Sequence, residues 1–327
     1  MPDPTCEERA CEHQIGMPIN MHKPEAVWLD DYQQSVNLWN SWYMANASKI
    51  QTELRQHSKG VGEELLVRTD NLTKITADVL RIPRMLEALR MAGSPAMARD
   101  RLAGLAGVDP AIVRNLEMGR LSKRRHEVDA AIARLLPVLQ RSIDAMLAPW
   151  LAERRDPTQS ERELFLAVLG DRMTQARVDP ILRNKQEERQ LNAAASLLAE
   201  RGYTEERPKD GTLREMEPGT FCRRLTITAN GVRIPVDLVI QPFGAQRGDV
   251  PILIEAKSAG DDTNTNKRRK EEANKYDNLK AELGDPRYYL LLGGYFPVTY
   301  LRYNREQGID WMWEHKLKED MTAAGLL

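Results

Sequence analysis

No stretch of this chain stays apolar for the ~20 residues that a membrane-crossing helix needs. The first residues, MPDPTCEERACEHQIG, lack a basic segment followed by an apolar one, so no secretory signal is read there and the expected location is the cytoplasm. Cysteine is scarce. Cys6, Cys11 and Cys222 form an odd set that does not suggest a disulfide framework. Cys6, Cys11, His13 and His22 fit no standard zinc spacing, and the N-terminus reads as an arm with incidental thiols. A charge of one sign is also missing: the net charge is −1, so global charge announces no nucleic-acid partner. Local clusters would have to supply one, and two are present, at Lys123 to Arg125 in LSKRRHE and at Lys267 to Lys270 in NKRRKEE. Charge runs of this kind are usually solvated faces, and neither decides anything alone. Repeats and low-complexity tracts are absent.

What remains is an ordinary globular composition, 42% hydrophobic and 29% charged over 327 residues, enough for two domains. The first part reads as helical, with Trp28, Tyr32, Val36, Trp39 and Tyr43 at helical spacing and more simply read as core than as a ligand box. A second helical stretch breaks at Pro83, and a third, EVDAAIARLLPVLQRSIDAMLAPWL, is expected to be interrupted at Pro137. Residues 153–160 look like a junction, which places a helical N-terminal region at 1–155 and a second domain at 156–327. That domain opens with a helix over NKQEERQLNAAASLLAERG, stopped by Gly202. FCRRLTIT and VRIPVDLVI, separated by Ala-Asn-Gly, predict an antiparallel hairpin. PILIEAK is a third strand, NKRRKEEANKYDNLKAELG a helix, RYYLLLGGYF a fourth strand parallel to the third, and GIDWMWEH supplies another. The fold class is α/β, a mixed sheet flanked by helices.

Chemistry concentrates on two of these strands. Asp237 interrupts the apolar IPVDLVIQ, and a carboxylate there is costly unless it is paired or binds a metal. Glu255 and Lys257 end the run VPILIEAK two residues apart, so they share a face. If the two strands are neighbours, Asp237 and Glu255 can share one Mg²⁺, with the Ala256 carbonyl as a further ligand. The metal would polarise a phosphate and acidify a bound water, and Lys257 would orient or help deprotonate that water and offset charge on the phosphorane oxygens. A bare Glu-x-Lys means little, and an edge strand with a surface ion pair would look the same. The preceding acidic strand, the hairpin and the following polar helix raise it above that.

The arrangement Asp237…Glu255-Ala256-Lys257 resembles the PD-(D/E)xK nuclease superfamily, departing from it in having Val236 before the aspartate and the proline one place earlier at Pro235. The resemblance implies a restriction-endonuclease-like sheet and a supporting glutamate in the helix before it. Glu187 is the candidate, with Glu188 as the alternative and an ordinary solvated helix start as the bland reading. The stretch AGDDTNTNKRRKEEANKYD, and the layout down to GIDWMWEH, resembles XamI-type type II restriction endonucleases, which implies cutting of the palindrome GTCGAC by a homodimer. Asn264, Asn266, Lys267 and Arg268, at a helix start, are candidates to hold phosphate or read base edges.

A second DNA-facing element is RDRLAGLAGVDPAIVRNLEMGRLSKR. Gly107 allows a turn, Val108 packs beneath it, Asp109 and Pro110 begin a helix, and Val113 and Leu116 face inward. This resembles the helix-turn-helix of phage-repressor-type domains, at about residues 97–120. The resemblance implies that Ala111, Arg114 and Asn115 face the groove while Lys123, Arg124 and Arg125 hold phosphate. A helical hairpin that only packs its own domain, or that makes dimer contacts, is the alternative. The expectation is therefore a Mg²⁺-dependent type II restriction endonuclease acting on double-stranded DNA, with a methyltransferase as genetic partner. A structure-specific or repair nuclease, and a regulator carrying a dead nuclease fold, are the competing readings.

Overall fold

Helical spacing dominates to about residue 200 and two-residue alternation follows it, and the computed structural model of the chain follows that change. The structure describes residues 18–120, 125–208, 213–229, 231–246, 248–261 and 265–327, with only the backbone of 265–268. The helices are α1 (Glu25–Arg68), α2 (Ala77–Leu80), α3 (Met85–Met91), α4 (Arg99–Ala106), α5 (Pro110–Glu117), α6 (Arg125–Ser142), α7 (Pro149–Glu153), α8 (Gln159–Arg201), α9 (Thr265–Leu283), α10 (Val298–Glu306) and α11 (Leu317–Ala323). The strands are β1 (Thr204–Glu205), β2 (Thr220–Ala229), β3 (Val232–Gln241), β4 (Ile252–Ala259), β5 (Tyr288–Gly294) and β6 (Asp310–Trp313). No described helix is long and apolar enough to cross a membrane. The chain forms two compact units, one of residues 45–182 and one that joins the described part of 1–44 to 183–327.

The first unit is helical. Its core gathers Leu65, Leu86, Leu102, Val113, Leu135 and Trp150, among others. Val128, Ala131, Ile132, Leu135 and Leu139 form one buried stripe along α6, the spacing of a helix face. The expected interruption at Pro137 does not occur, for α6 runs through it to Ser142. An interior proline costs ~3 kcal/mol. Leu135 and Leu139, fully buried on either side of it, each contribute about 1.5–3 kcal/mol and outweigh that cost. The helix expected to start near Asn184 begins far earlier, at Gln159, and passes Pro180. Its start is a capping box: Thr158 N–H donates to Glu161 Oε2 at 2.7 Å, and Glu161 N–H donates to Thr158 Oγ1 at 3.3 Å. Between α4 and α5 the chain turns as the spacing predicts. Gly107 takes φ +61°, and Asp109 Oδ1 accepts the Ala111 N–H at 2.7 Å.

The second unit is built on a six-stranded mixed sheet in the order β1-β2-β3-β4-β5-β6. β2, β3 and β4 are antiparallel neighbours, and β4, β5 and β6 run parallel, with α9 and α10 as the crossovers. The hairpin closes at Gly231, whose φ of +73° a side chain would resist. β5 and β6 are buried along their whole length, as parallel strands covered on both faces must be. One face packs Leu253, Leu290, Leu292 and Trp311 against Tyr276, Leu279, Tyr300 and Trp28. The other packs Leu238, Ile254, Leu291 and Met312 against Leu191, Ala194 and Leu198 of α8 and Met321 of α11. Trp28 meets Trp311 edge-on at 5.2 Å, so the start of α1 belongs to the core of the sheet.

Alternation slips once in this sheet. On β3, Val239 lies in the first of these cores and Leu238 and Ile240 in the second, yet Val236 and Ile234 rejoin the first. β2 slips at the facing position, where Cys222 is followed in the same core by Leu225 and Ile227. The register is constant through the slip, and Arg224, opposite Asp237, takes φ +54°. A non-glycine residue in that region is strained, and the strain sits beside the one carboxylate of β3.

Candidate active site

Asp237 lies on β3 just beyond the last residue pair that β3 makes with β4, Leu238 with Ile254. Its Oδ2 accepts the Ala256 N–H at 2.9 Å, which ties the acidic strand to the one that carries Glu255 and Lys257. Glu255 is 7% exposed, and Lys257 Nζ donates to its Oε1 at 2.9 Å. Its other oxygen, Oε2, accepts from Lys275 Nζ of α9 at 2.5 Å. Glu272, one turn earlier on α9, is buried with its Oε1 at 3.9 Å from Lys257 Nζ, and its Oε2 accepts the Tyr300 hydroxyl. Beside Asp237 and Glu255 lies a cavity of about 290 Å³ whose lining includes Arg183, Glu187, Ala256, Lys257, Glu272 and Lys275.

A second polar layer grips the exit of β4. Gln190 Nε2 donates to the Lys257 carbonyl at 3.4 Å and to Glu314 Oε2 at 3.3 Å, and Gln186 Nε2 reaches the same carboxylate at 3.1 Å. Arg189 closes the layer on Glu314 Oε1 at 2.6 Å, with its guanidinium over the Trp42 ring. Gly293, which faces Ser258 across β4 and β5, sits under this layer, and a Cβ there would overlap Glu314 and Gln190.

Charge at the cavity is dense and unevenly balanced. Burial pushes the Asp237 carboxyl up to about 6, reinforced by the negative charges of Glu255 and Glu187, while Lys275 and the Ala256 N–H pull the other way. Burial disfavours the Lys257 ammonium, but Glu255, Glu272 and Asp237 together outweigh it and raise the pKa. For Lys275 burial wins and the pKa falls. An aspartate held this far up by burial and like charge is relieved by a cation. Among the described residues no three His, Cys, Asp or Glu side chains group tightly enough for an all-protein metal cage. The donors on hand are two carboxylates and a backbone carbonyl, a hard oxygen set of the kind that Mg²⁺ completes with water and phosphate oxygens.

A family model of XamI restriction endonucleases matches residues 70–313. Type II restriction enzyme SalI of Streptomyces albus G is 42% identical over 315 residues, which cover 94% of this chain and 99% of that protein. The chain belongs to the XamI restriction endonuclease family. A comparison with solved structures finds no match. As a restriction endonuclease its reaction is sequence-specific cleavage of DNA.

In this endonuclease Asp237, Glu255, Ala256 and Lys257 come together. Glu187 lines the cavity with Ala256 and Lys257, and Arg224 reaches its Oε1 at 3.3 Å. Glu188 is exposed and does not line it. Ala111, Arg114 and Asn115 lie on α5 in the helical unit, Arg114 exposed and the other two half-buried, and Arg125 is exposed at the start of α6. Lys123, Arg124 and Asn264 lie outside the described residues, as do Cys6, Cys11 and His13 and the side chains of Asn266, Lys267 and Arg268. Sequence reasoning missed Lys275, Glu272, Gln190 and Glu314. The first two hide in a run of alternating charges, and only the turn of α9 over β4 distinguishes them from their solvated neighbours.

Proposed function

We propose that this endonuclease is a Mg²⁺-dependent enzyme of the PD-(D/E)xK type that cuts both strands of a palindrome, GTCGAC by family resemblance, and leaves 5′ phosphates. The observation that carries the reading is the Ala256 N–H bond to Asp237, which holds the β3 carboxylate beside Glu255 and Lys257. Asp237 and Glu255 would hold the metal with help from the Ala256 carbonyl, and Glu187 would support them. When bound, Mg²⁺ polarises the scissile phosphate and lowers the pKa of a bound water.

The rest is the work of the chain. Lys257, kept charged by three carboxylates, orients the attacking water and offsets charge on the phosphorane oxygens. The water gives a proton to bulk solvent as its oxygen bonds to phosphorus, the phosphorus–O3′ bond breaks, and the 3′ oxygen takes a proton from solvent. Glu272 and the Gln190–Glu314 layer keep Lys257 and the end of β4 in place. Recognition falls to the start of α9, with Asn264, Asn266, Lys267 and Arg268, and to a helix-turn-helix at 97–120, where Ala111, Arg114 and Asn115 face the groove and Lys123, Arg124 and Arg125 hold phosphate. A palindromic target calls for a symmetric homodimer, and host DNA in the cytoplasm needs a cognate methyltransferase to escape cutting.

The test is a digest of DNA of known sequence with Mg²⁺ and with EDTA, followed by end sequencing. Discrete fragments with Mg²⁺ alone, ending at one palindrome, are expected. A smear, or cutting that survives EDTA, refutes the reading and favours a structure-specific nuclease.

A further inference from the structure

Both oxygens of Glu255 are engaged by ammonium groups, Oε1 by Lys257 at 2.9 Å and Oε2 by Lys275 at 2.5 Å. Lys257 comes from the same strand two residues on, whereas Lys275 is delivered from α9. It is held there firmly: the next residue, Tyr276, stacks on Tyr288 of β5 with ring centres 5.4 Å apart, and Leu279, one turn on, is fully buried. The Lys275 side chain is 14% exposed, and its ammonium opens onto the same cavity as Lys257 and Glu187. A solvated helix lysine would not be carried inward to a buried carboxylate on a central strand.

We propose that Lys275 is a positioning residue that occupies the place of the divalent cation on Glu255 until DNA arrives. The inference rests on the metal reading of Asp237 and Glu255. A doubly charged ion on Glu255 must displace or crowd an ammonium already bonded to it, so the DNA-free protein holds the ion weakly. The scissile phosphate brings negative charge into the cavity, the balance reverses, and Lys275 is released towards the phosphate. Ion binding thereby waits for substrate, which keeps the cutting centre unassembled on the free enzyme. Lys257 cannot serve in the same way, because its ammonium is shared with Glu272.

The experiment is calorimetric titration of Mg²⁺ into the full-length protein without DNA, for wild type, Lys275→Met, Lys275→Arg and the double variant Lys275→Met, Glu255→Gln, each first checked for wild-type thermal unfolding. Lys275→Met keeps the length and packing of the side chain without the charge. Removing a unit charge about 4–5 Å from a divalent ion strengthens its binding by at least about tenfold at a protein-like dielectric. Lys275→Met is expected to bind Mg²⁺ at least about tenfold more tightly than wild type, Lys275→Arg to stay weak, and the gain to vanish in the double variant. Binding by Lys275→Met that is no tighter than wild type, or undetectable over the same range, overturns the placeholder role and leaves the metal reading standing. A gain that survives Glu255→Gln places the ion elsewhere and overturns both.

Discussion

Glu117, the last residue of α5, is the place where a small change tests the packing of the helical unit most sharply. Its carboxylate is 4% exposed, and Oε1 accepts from Arg90 Nε at 2.5 Å while Oε2 accepts from Arg99 at 2.7 Å. Arg90 is 6% exposed and also donates to the Met97 carbonyl at 2.7 Å, its one other acceptor among the described residues. Arg99 is 40% exposed, so water compensates it readily. Glu117→Ala therefore strands a buried guanidinium, and such a loss costs about 3–5 kcal/mol. Arg99→Ala removes only the solvent-screened partner and costs under about 1 kcal/mol. Glu117→Gln keeps one acceptor for Arg90 and falls between them, at about 1–3 kcal/mol. Urea unfolding measures the three losses, and amide exchange in α4 and α5 locates them. Because the Glu117 carbonyl also accepts the Arg84 N–H at 2.9 Å, the loosened segment includes the approach to α3, and protection there falls with that of α5. Equal losses for Glu117→Ala and Arg99→Ala would refute the argument that burial, and not the count of ion pairs, sets the cost.

Other outcomes are expected nearer the sheet. Asp237→Ala and Lys257→Ala each lower DNA cleavage by at least about 10²–10³-fold while fold and DNA binding persist, and normal cleavage by either removes it from the site. Gly293→Ala forces a Cβ into Glu314 and Gln190, costs about 1–3 kcal/mol in a denaturation experiment, and slows cleavage because the same layer holds the Lys257 carbonyl. His315 is an acid-sensitive group of the second unit. Burial lowers its pKa from 6.5, the Asp31 carboxylate that it contacts at 3.3 Å opposes this, and Lys316 adds to the lowering. A depressed folded value means that the unfolded chain takes the proton more readily, so this contribution is complete above about pH 6.5 and is lost as pH falls through the folded value. Thermal unfolding from about pH 7.5 to 5.5 should decline more steeply for wild type than for His315→Gln, and parallel profiles would rule His315 out.

Local chemistry made much of this fold legible. Asp109 followed by Pro110 starts α5, Gly107 turns the chain before it, and Gly231 closes the hairpin of β2 and β3, because each answers a demand set within a few residues. The polar helix between two apolar runs implied the parallel pairing of β4 and β5, since parallel neighbours need a crossover of that length. The capping box at Thr158 and Glu161 was equally local, but it falls within the stretch 153–160 that reads as a junction, and α8 runs on from it.

By itself the sequence determined which residue types stand where: a carboxylate within an apolar strand, and a Glu-Ala-Lys at the end of another. That much follows from the cost of burying charge, which needs no structure to state. Only the tertiary structure decided that Asp237 sits where the pleat slips and bonds across to Ala256, and that Lys275, not its neighbours in the same charged run, reaches Glu255. It also decided that Trp28, some 280 residues from Trp311 along the chain, shares its core. The physical reason is the same in each case. Which face of a helix or strand turns inward is set by the surface that packs against it, and that surface comes from distant parts of the chain.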